Sequence, residues 1–240
     1  MDIGADKRLF DRRLFAVSAV LFPLLVVIGF SRTYYFKQFF ASPPLPSTLV
    51  HVHGLLMTAW VLLFVAQVRL ISVKRVRLHQ RLGYYGIGLA ALIIATGVPV
   101  AARAAKYGSL ATPQMIPPLA FLLVPISDLV MFAIFFGAAI YYRRTAAAHK
   151  SLMLLTALNF LPPALARITA LSAPLGPLWF FGAPALLGVV GLTLDARRHG
   201  RINKVFAVGL ALLIASYAGR LALMTTEAWL DVARWLTSFV

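Results

Sequence analysis

The sequence predicts an all-α integral membrane protein with seven transmembrane helices. Three observations predict it. Of its 240 residues, 61% are hydrophobic and only 12% are charged, where a soluble domain carries about 25% charged residues. The apolar residues gather into runs long enough to cross a bilayer, which needs about 20 mostly apolar residues in a helix. The basic residues that give the net charge of +16 sit in short segments between those runs, as membrane orientation requires, rather than on a nucleic-acid-binding face.

Taken in order, the expected spans are about 14–31, 49–71, 82–102, 116–142, 151–173, 177–195 and 204–225, forming one domain over 1–240. The first run has no small-residue cleavage site behind it and reads as a retained span rather than a signal peptide. Segment 32–48 carries "SPPLP", which favours extended backbone and makes this the longest outer connection. The second span opens on "LVHVHGLLMTAW" and the third follows "RLHQRLGYYG". Basic loops or Pro/Gly-rich breaks separate the rest. The last stretch, "TEAWLDVARWLTSFV", is too polar for an eighth span. Its Trp229, Val232, Leu236 and Phe239 share a helical face opposite Asp231 and Arg234, the pattern of a short interfacial helix over 226–240.

Orientation follows from Lys and Arg. Lys7, Arg8, Arg12 and Arg13 precede the first span. Arg69, Lys74, Arg75, Arg77 and Arg81 join the second to the third. Arg143, Arg144 and Lys150 join the fourth to the fifth, and Arg197, Arg198, Arg201 and Lys204 the sixth to the seventh. Together these are 16 of the 23 basic residues, so this side is expected to be cytoplasmic. The amino terminus is then inside and the carboxyl terminus periplasmic, in a bacterial inner membrane.

A helical rise of ~1.5 Å per residue converts numbering into depth. Counting from the nearest inner-edge basic residue places His53, Asp128, Arg167 and Arg220 at ~22–26 Å, one layer in the outer half of the bilayer. Facing agrees with depth. On the second span His53, Met57, Trp60, Phe64 and Gln67 recur at helical spacing, and on the fifth His149, Thr156, Asn159, Pro163 and Arg167 do so. On the seventh, Tyr217, Arg220, Met224 and Glu227 share a face if the helix continues that far. Ionisable groups inside a membrane normally face the bundle or a wet cavity. One carboxylate here meets two guanidinium groups, each wanting a planar acceptor. The layer therefore suits a small anionic or amphipathic ligand held by His53, Trp60, Asp128, Arg167 and Arg220, for transport, sensing or a membrane-embedded reaction. The plainer reading is a salt-bridge network tying three spans together. A metal at His53 with Asp128 and Glu227 is a lesser alternative. His51, two residues from His53, points ~200° away on a helix and reads as a wet lip residue.

The inner edge holds a second pair, His79 and His149, at matching depth among basic neighbours. Two facing imidazoles at one level could ligate haem b axially. Otherwise they are solvated boundary residues. Gly83, Gly86 and Gly97 beside the His79 face permit close helix packing. The absence of cysteine excludes disulfides and thiolate chemistry. No catalytic triad, phosphate loop, H-E-x-x-H or dinucleotide signature occurs, and catalytic residues remain unassigned.

"HVHGLLMTAW", "RLHQRLG" and "AHKSLM" together resemble uncharacterised bacterial multi-pass membrane proteins in which H-x-H-G opens one span and L-H-x-R-L-G the next. The second element is also similar to the histidine-bearing helix starts of cytochrome b and ferric-reductase-like membrane domains. That resemblance, over residues 51–153, implies haem b electron transfer with His79 and His149 as ligands. Those cytochromes usually hold two haems on four histidines; here the outer side offers only His51 and His53, both on one helix. A further expectation is an accessory subunit or assembly factor of a larger membrane complex.

Overall fold

A chain this apolar can satisfy its backbone in lipid only through helices or a closed barrel. The computed structural model takes the first route, and no strand occurs among the described residues. It describes residues 3–108 and 116–240, with side chains from Arg13 onward, so Lys7, Arg8 and Arg12 lie outside the described side chains.

The first helix, α1 (Ile3–Phe30), tolerates Pro23 in its interior, as membrane helices can when neighbours meet the freed carbonyl. It runs into a π-helical turn at Ser31–Tyr35 and a 3-10 turn at Lys37–Phe39. Ser47 then caps α2 (Thr48–Ser72) by accepting a hydrogen bond from the Val50 amide. A tight turn through Lys74, whose φ is +62°, leads into α3 (Val76–Tyr107). The two helices form an antiparallel pair.

Next come α4 (Pro118–Phe121) and α5 (Leu123–Tyr141), joined at Leu122. The expected fifth span begins as α6 (Ala146–Asn159) and α7 (Leu161–Ala166). Pro162 and Pro163 have no amide hydrogen to give the carbonyls one turn back, which accounts for the break between the two helices. After Arg167 the chain bends by 90° into α8 (Thr169–Leu175), so the span expected over 151–173 is broken rather than straight. Two further helices, α9 (Pro177–Phe180) and α10 (Gly182–His199), follow, and α10 ends on Gly200 in the left-handed region at φ +72°, a common helix stop.

Asn203 caps α11 (Lys204–Leu223). This helix stops at Leu223, and Thr226 caps a separate α12 (Glu227–Ser238). Glu227 therefore does not continue the face of Tyr217 and Arg220. In α12, Arg234 donates to Asp231 at 2.7 Å and to Glu227 at 3.4 Å. Hydrogen bonding to Asp231 holds this guanidinium above its ordinary pKa. The opposite face seats Ala233 beside Ala101, Ala105 and Leu122, and the Trp229 indole donates to the Leu119 carbonyl at 3.2 Å.

Burial is inverted relative to a water-soluble domain. Val20, Leu62, Leu186 and Val208 face outward, while Asp128, Asn159 and Arg220 lie in the core. Contiguous exposed apolar surface of this kind marks a membrane-facing protein. Among the described residues six helices are long and apolar enough to cross a bilayer, or seven if the bent pair counts as one span.

Candidate functional site

The core of the bundle is aromatic and aliphatic, built on Phe132, Phe135, Ile93, Leu155 and Leu213. Asp128 enters it from α5 and Arg220 from α11. Arg220 Nη1 donates to Asp128 Oδ1 at 2.5 Å, with 1% and 6% of the two side chains exposed. Such a pair needs its remaining polar atoms satisfied, because each has left water behind. Arg220 Nε donates to Ser216 Oγ at 3.2 Å, one turn back. The guanidinium lies over the Tyr217 ring at 5.1 Å and the Phe181 ring at 5.7 Å, and these two rings stack at 4.7 Å. From α6, the Asn159 side-chain amide donates to the Asp128 backbone carbonyl at 2.9 Å.

Four buried atoms nevertheless have no hydrogen-bond partner among the described residues: Arg220 Nη2, Tyr217 OH and Asn159 Oδ1 beside the pair, and Trp60 Nε1. Trp60 stands on α2, its ring edge-on to Phe132 at 4.9 Å and Phe136 at 5.2 Å. Phe132 is one turn along from Asp128 and packs on Phe160 at 4.6 Å. Each unmet buried polar atom costs about 1–3 kcal/mol. Three of the four can donate and two can accept, within walls of aromatic rings.

The other two residues expected in the layer are engaged elsewhere. Arg167 donates to the Pro163 carbonyl at 2.5 Å and lies over the Phe30 ring at 4.3 Å, between α7 and α1. His53 Nδ1 hydrogen-bonds Thr96 Oγ1 at 2.9 Å, and its ring packs toward Gly97 of α3. His51 meets Tyr34, whose hydroxyl lies 3.3 Å from His51 Nδ1. Among the described residues no three His, Cys, Asp or Glu side chains are grouped to hold a metal. Thr96, Ser216 and Phe181 are partners that sequence reasoning passed over. Ser216 alone had a signal, its position four residues before Arg220.

At the inner edge the rings of His79 and His149 lie 6.2 Å apart at 85°. Metal–nitrogen bonds of about 2.0–2.1 Å place two imidazole centroids roughly 6.3 Å apart when they ligate from opposite sides. The spacing therefore suits a metal held in trans, as haem iron would be. On the α2 flank of this pair the packing is close. Gln67 of α2 donates to the His79 carbonyl at 3.2 Å and packs toward Gly83. Leu63 closes on Gly86 one turn further along. A porphyrin entering this α2–α3 seam would have to part it. The cleft of about 370 Å³ at the same end is lined by Lys74, Arg75, Val76, Arg77 and Leu78, not by either imidazole. The spacing of the donor pair fits a metal, and the α2–α3 seam on one flank of it is closed.

No family model, curated protein or solved structure matches this chain.

Proposed function

We propose that the chain binds a small anionic or amphipathic ligand in the buried layer between α2, α5, α6 and α11. The observation that carries this reading is the set of three unmet polar atoms beside one closed ion pair, with a fourth on Trp60 across Phe132. Asp128 already neutralises Arg220, so the layer calls for hydrogen-bond acceptors more than for net charge. A carboxylate or carbonyl head would accept from Trp60 Nε1, Tyr217 OH and Arg220 Nη2, and Asn159 Oδ1 would accept a hydrogen bond from an acid or hydroxyl. Phe132, Phe136 and Phe160 would flank an apolar body. Arg167 and His53 border this ligand's surroundings instead of holding it. Such a site serves transport, sensing or a membrane-embedded reaction.

The same proposal places the chain in a bacterial inner membrane with seven crossings, amino terminus inside and carboxyl terminus outside. The 21 residues from Ala146 to Ala166 extend ~31 Å at helical rise, enough to cross the hydrocarbon before the bend. The short helices α8 and α9 then lie along the outer surface, and α10 returns. The basic segments support the direction.

The test uses conservative variants with opposite expected signs. Tyr217→Phe removes an unmet polar hydrogen while keeping its ring contacts; Trp60→Phe also removes one but leaves part of the indole's space empty. In the ligand-free protein Tyr217→Phe is neutral or stabilising, since the lost group had no partner, while Trp60→Phe loses packing of a buried side chain. Ligand retention, read by native mass spectrometry from mild detergent, falls at least about fivefold, the worth of one hydrogen bond near 1 kcal/mol. A chain that carries no small molecule, and whose stability drops in Tyr217→Phe, contradicts the proposal.

A further inference from the structure

We propose that His79 and His149 hold a bare divalent transition-metal ion of the copper–nickel class at the inner membrane edge, separate from the ligand layer above. Three observations converge on it. The first is spacing: 6.2 Å between ring centroids suits opposed ligation, whereas a tetrahedral ion would draw two imidazoles to about 5 Å. Opposed nitrogen donors completed by oxygens are the tetragonal geometry favoured by Cu(II) and Ni(II) rather than by zinc.

The second is orientation. His149 Nδ1 lies 2.9 Å from the Ala139 carbonyl. A carbonyl oxygen only accepts, so Nδ1 carries the proton and Nε2 keeps its lone pair. Metal-ligating histidines are commonly fixed this way by a backbone carbonyl on the other ring nitrogen. The third is a pair of buried atoms with no partner, His79 Nδ1 and Gln67 Oε1. They are a nitrogen and an oxygen donor on neighbouring helices. Gln67 is tied to the His79 backbone by its amide, which keeps its oxygen beside the pair. A single ion beside His79 would take up both unmet atoms. With no cysteine in the chain, no thiolate competes for the metal.

Tag-free protein in detergent is titrated with Cu(II) and examined by electron paramagnetic resonance. The expected result is one copper per chain with hyperfine coupling to two imidazole nitrogens. His79→Ala should weaken binding at least tenfold with an unchanged melting temperature, because the His79 side chain makes no hydrogen bond in the structure. The double variant His79→Ala/His149→Ala reports background from His51, His53 and His199. Copper binding by wild type no stronger than by the double variant overturns the proposal. So does a Soret band in the protein as purified, which would assign the pair to haem. If His79→Ala fails to fold, the wild-type spectrum still decides: coupling to fewer than two nitrogens refutes the site.

Discussion

Replacing Asp128 by Asn tests the ion pair at the centre of the bundle. Arg220 is almost fully buried, and its charge is met by Asp128 at 2.5 Å. In Asp128→Asn the guanidinium keeps a hydrogen bond to Ser216 and its contacts with two rings, but no anion. Breaking one side of a buried pair typically costs about 3–5 kcal/mol. The Asn carbonyl can still accept from Nη1, which puts the expected loss near ~3 kcal/mol, or a fall in melting temperature on the order of 10 °C for a chain of this size. The reverse change, Arg220→Gln, should cost less, because a stranded carboxyl can neutralise itself by taking up a proton and a guanidinium cannot. The double variant Asp128→Asn/Arg220→Gln removes both charges and should recover part of the loss, with a coupling of about 2 kcal/mol or more. The assay is thermal melting in detergent or nanodiscs, followed by fluorescence of the chain's 4 tryptophans. Single effects that add to within about 0.5 kcal/mol would refute the reasoning, since contacting charges must couple.

Arg167→Gln should cost only about 1–2 kcal/mol, the worth of one hydrogen bond to Pro163 and one cation–π contact on Phe30, and should leave ligand retention unchanged; a loss as large as that of Asp128→Asn would place Arg167 back in the layer. Gly29→Ala should destabilise by about 1–3 kcal/mol, because its new methyl overlaps the Ala164 backbone where α1 meets α7; a neutral result in a melting assay would mean that these helices are not in close contact. A reporter fused after Val240 should lie on the periplasmic side and one at Gly200 in the cytoplasm. Gly200 outside with Val240 inside would make the α6–α8 bend a re-entrant loop, and both reporters on one side would mean that α11 does not cross.

Much of the architecture was legible because hydropathy and charge act over whole segments. The basic loops and the apolar runs bracket α2, α10 and α11; of the face read on α12, Trp229 and Leu236 pack on the bundle, while Val232 and Phe239 are exposed and the buried positions are Ala233 and Thr237. The break at Asn159–Leu161 was legible only as "PP" in the sequence; an average over 151–173 hides it, because proline is apolar enough to pass for span. That break also decides Arg167. Depth alone puts it level with Asp128, but it sits at the end of α7, where its guanidinium meets a local carbonyl and α1. Pairing between Asp128 and Arg220 depends on which faces α5 and α11 turn to each other, and depth from helical rise narrows this without fixing it. His53 was readable as a buried polar group, yet its partner Thr96 was not, since a threonine in an apolar run carries no charge signal. At the inner edge, the matching depth of His79 and His149 was visible in the numbering, while the Gln67 contact that closes the seam beside them was not.

The measurement closest to the central claim is native mass spectrometry of the wild-type chain released from lipid nanodiscs, beside Trp60→Phe and Tyr217→Phe. The account predicts a small-molecule adduct on the wild type that is depleted at least about fivefold in each variant, with Tyr217→Phe no less stable when free of ligand. A wild-type chain that flies bare, with Tyr217→Phe melting below it, would contradict the account and leave the Asp128–Arg220 layer as a strut between helices.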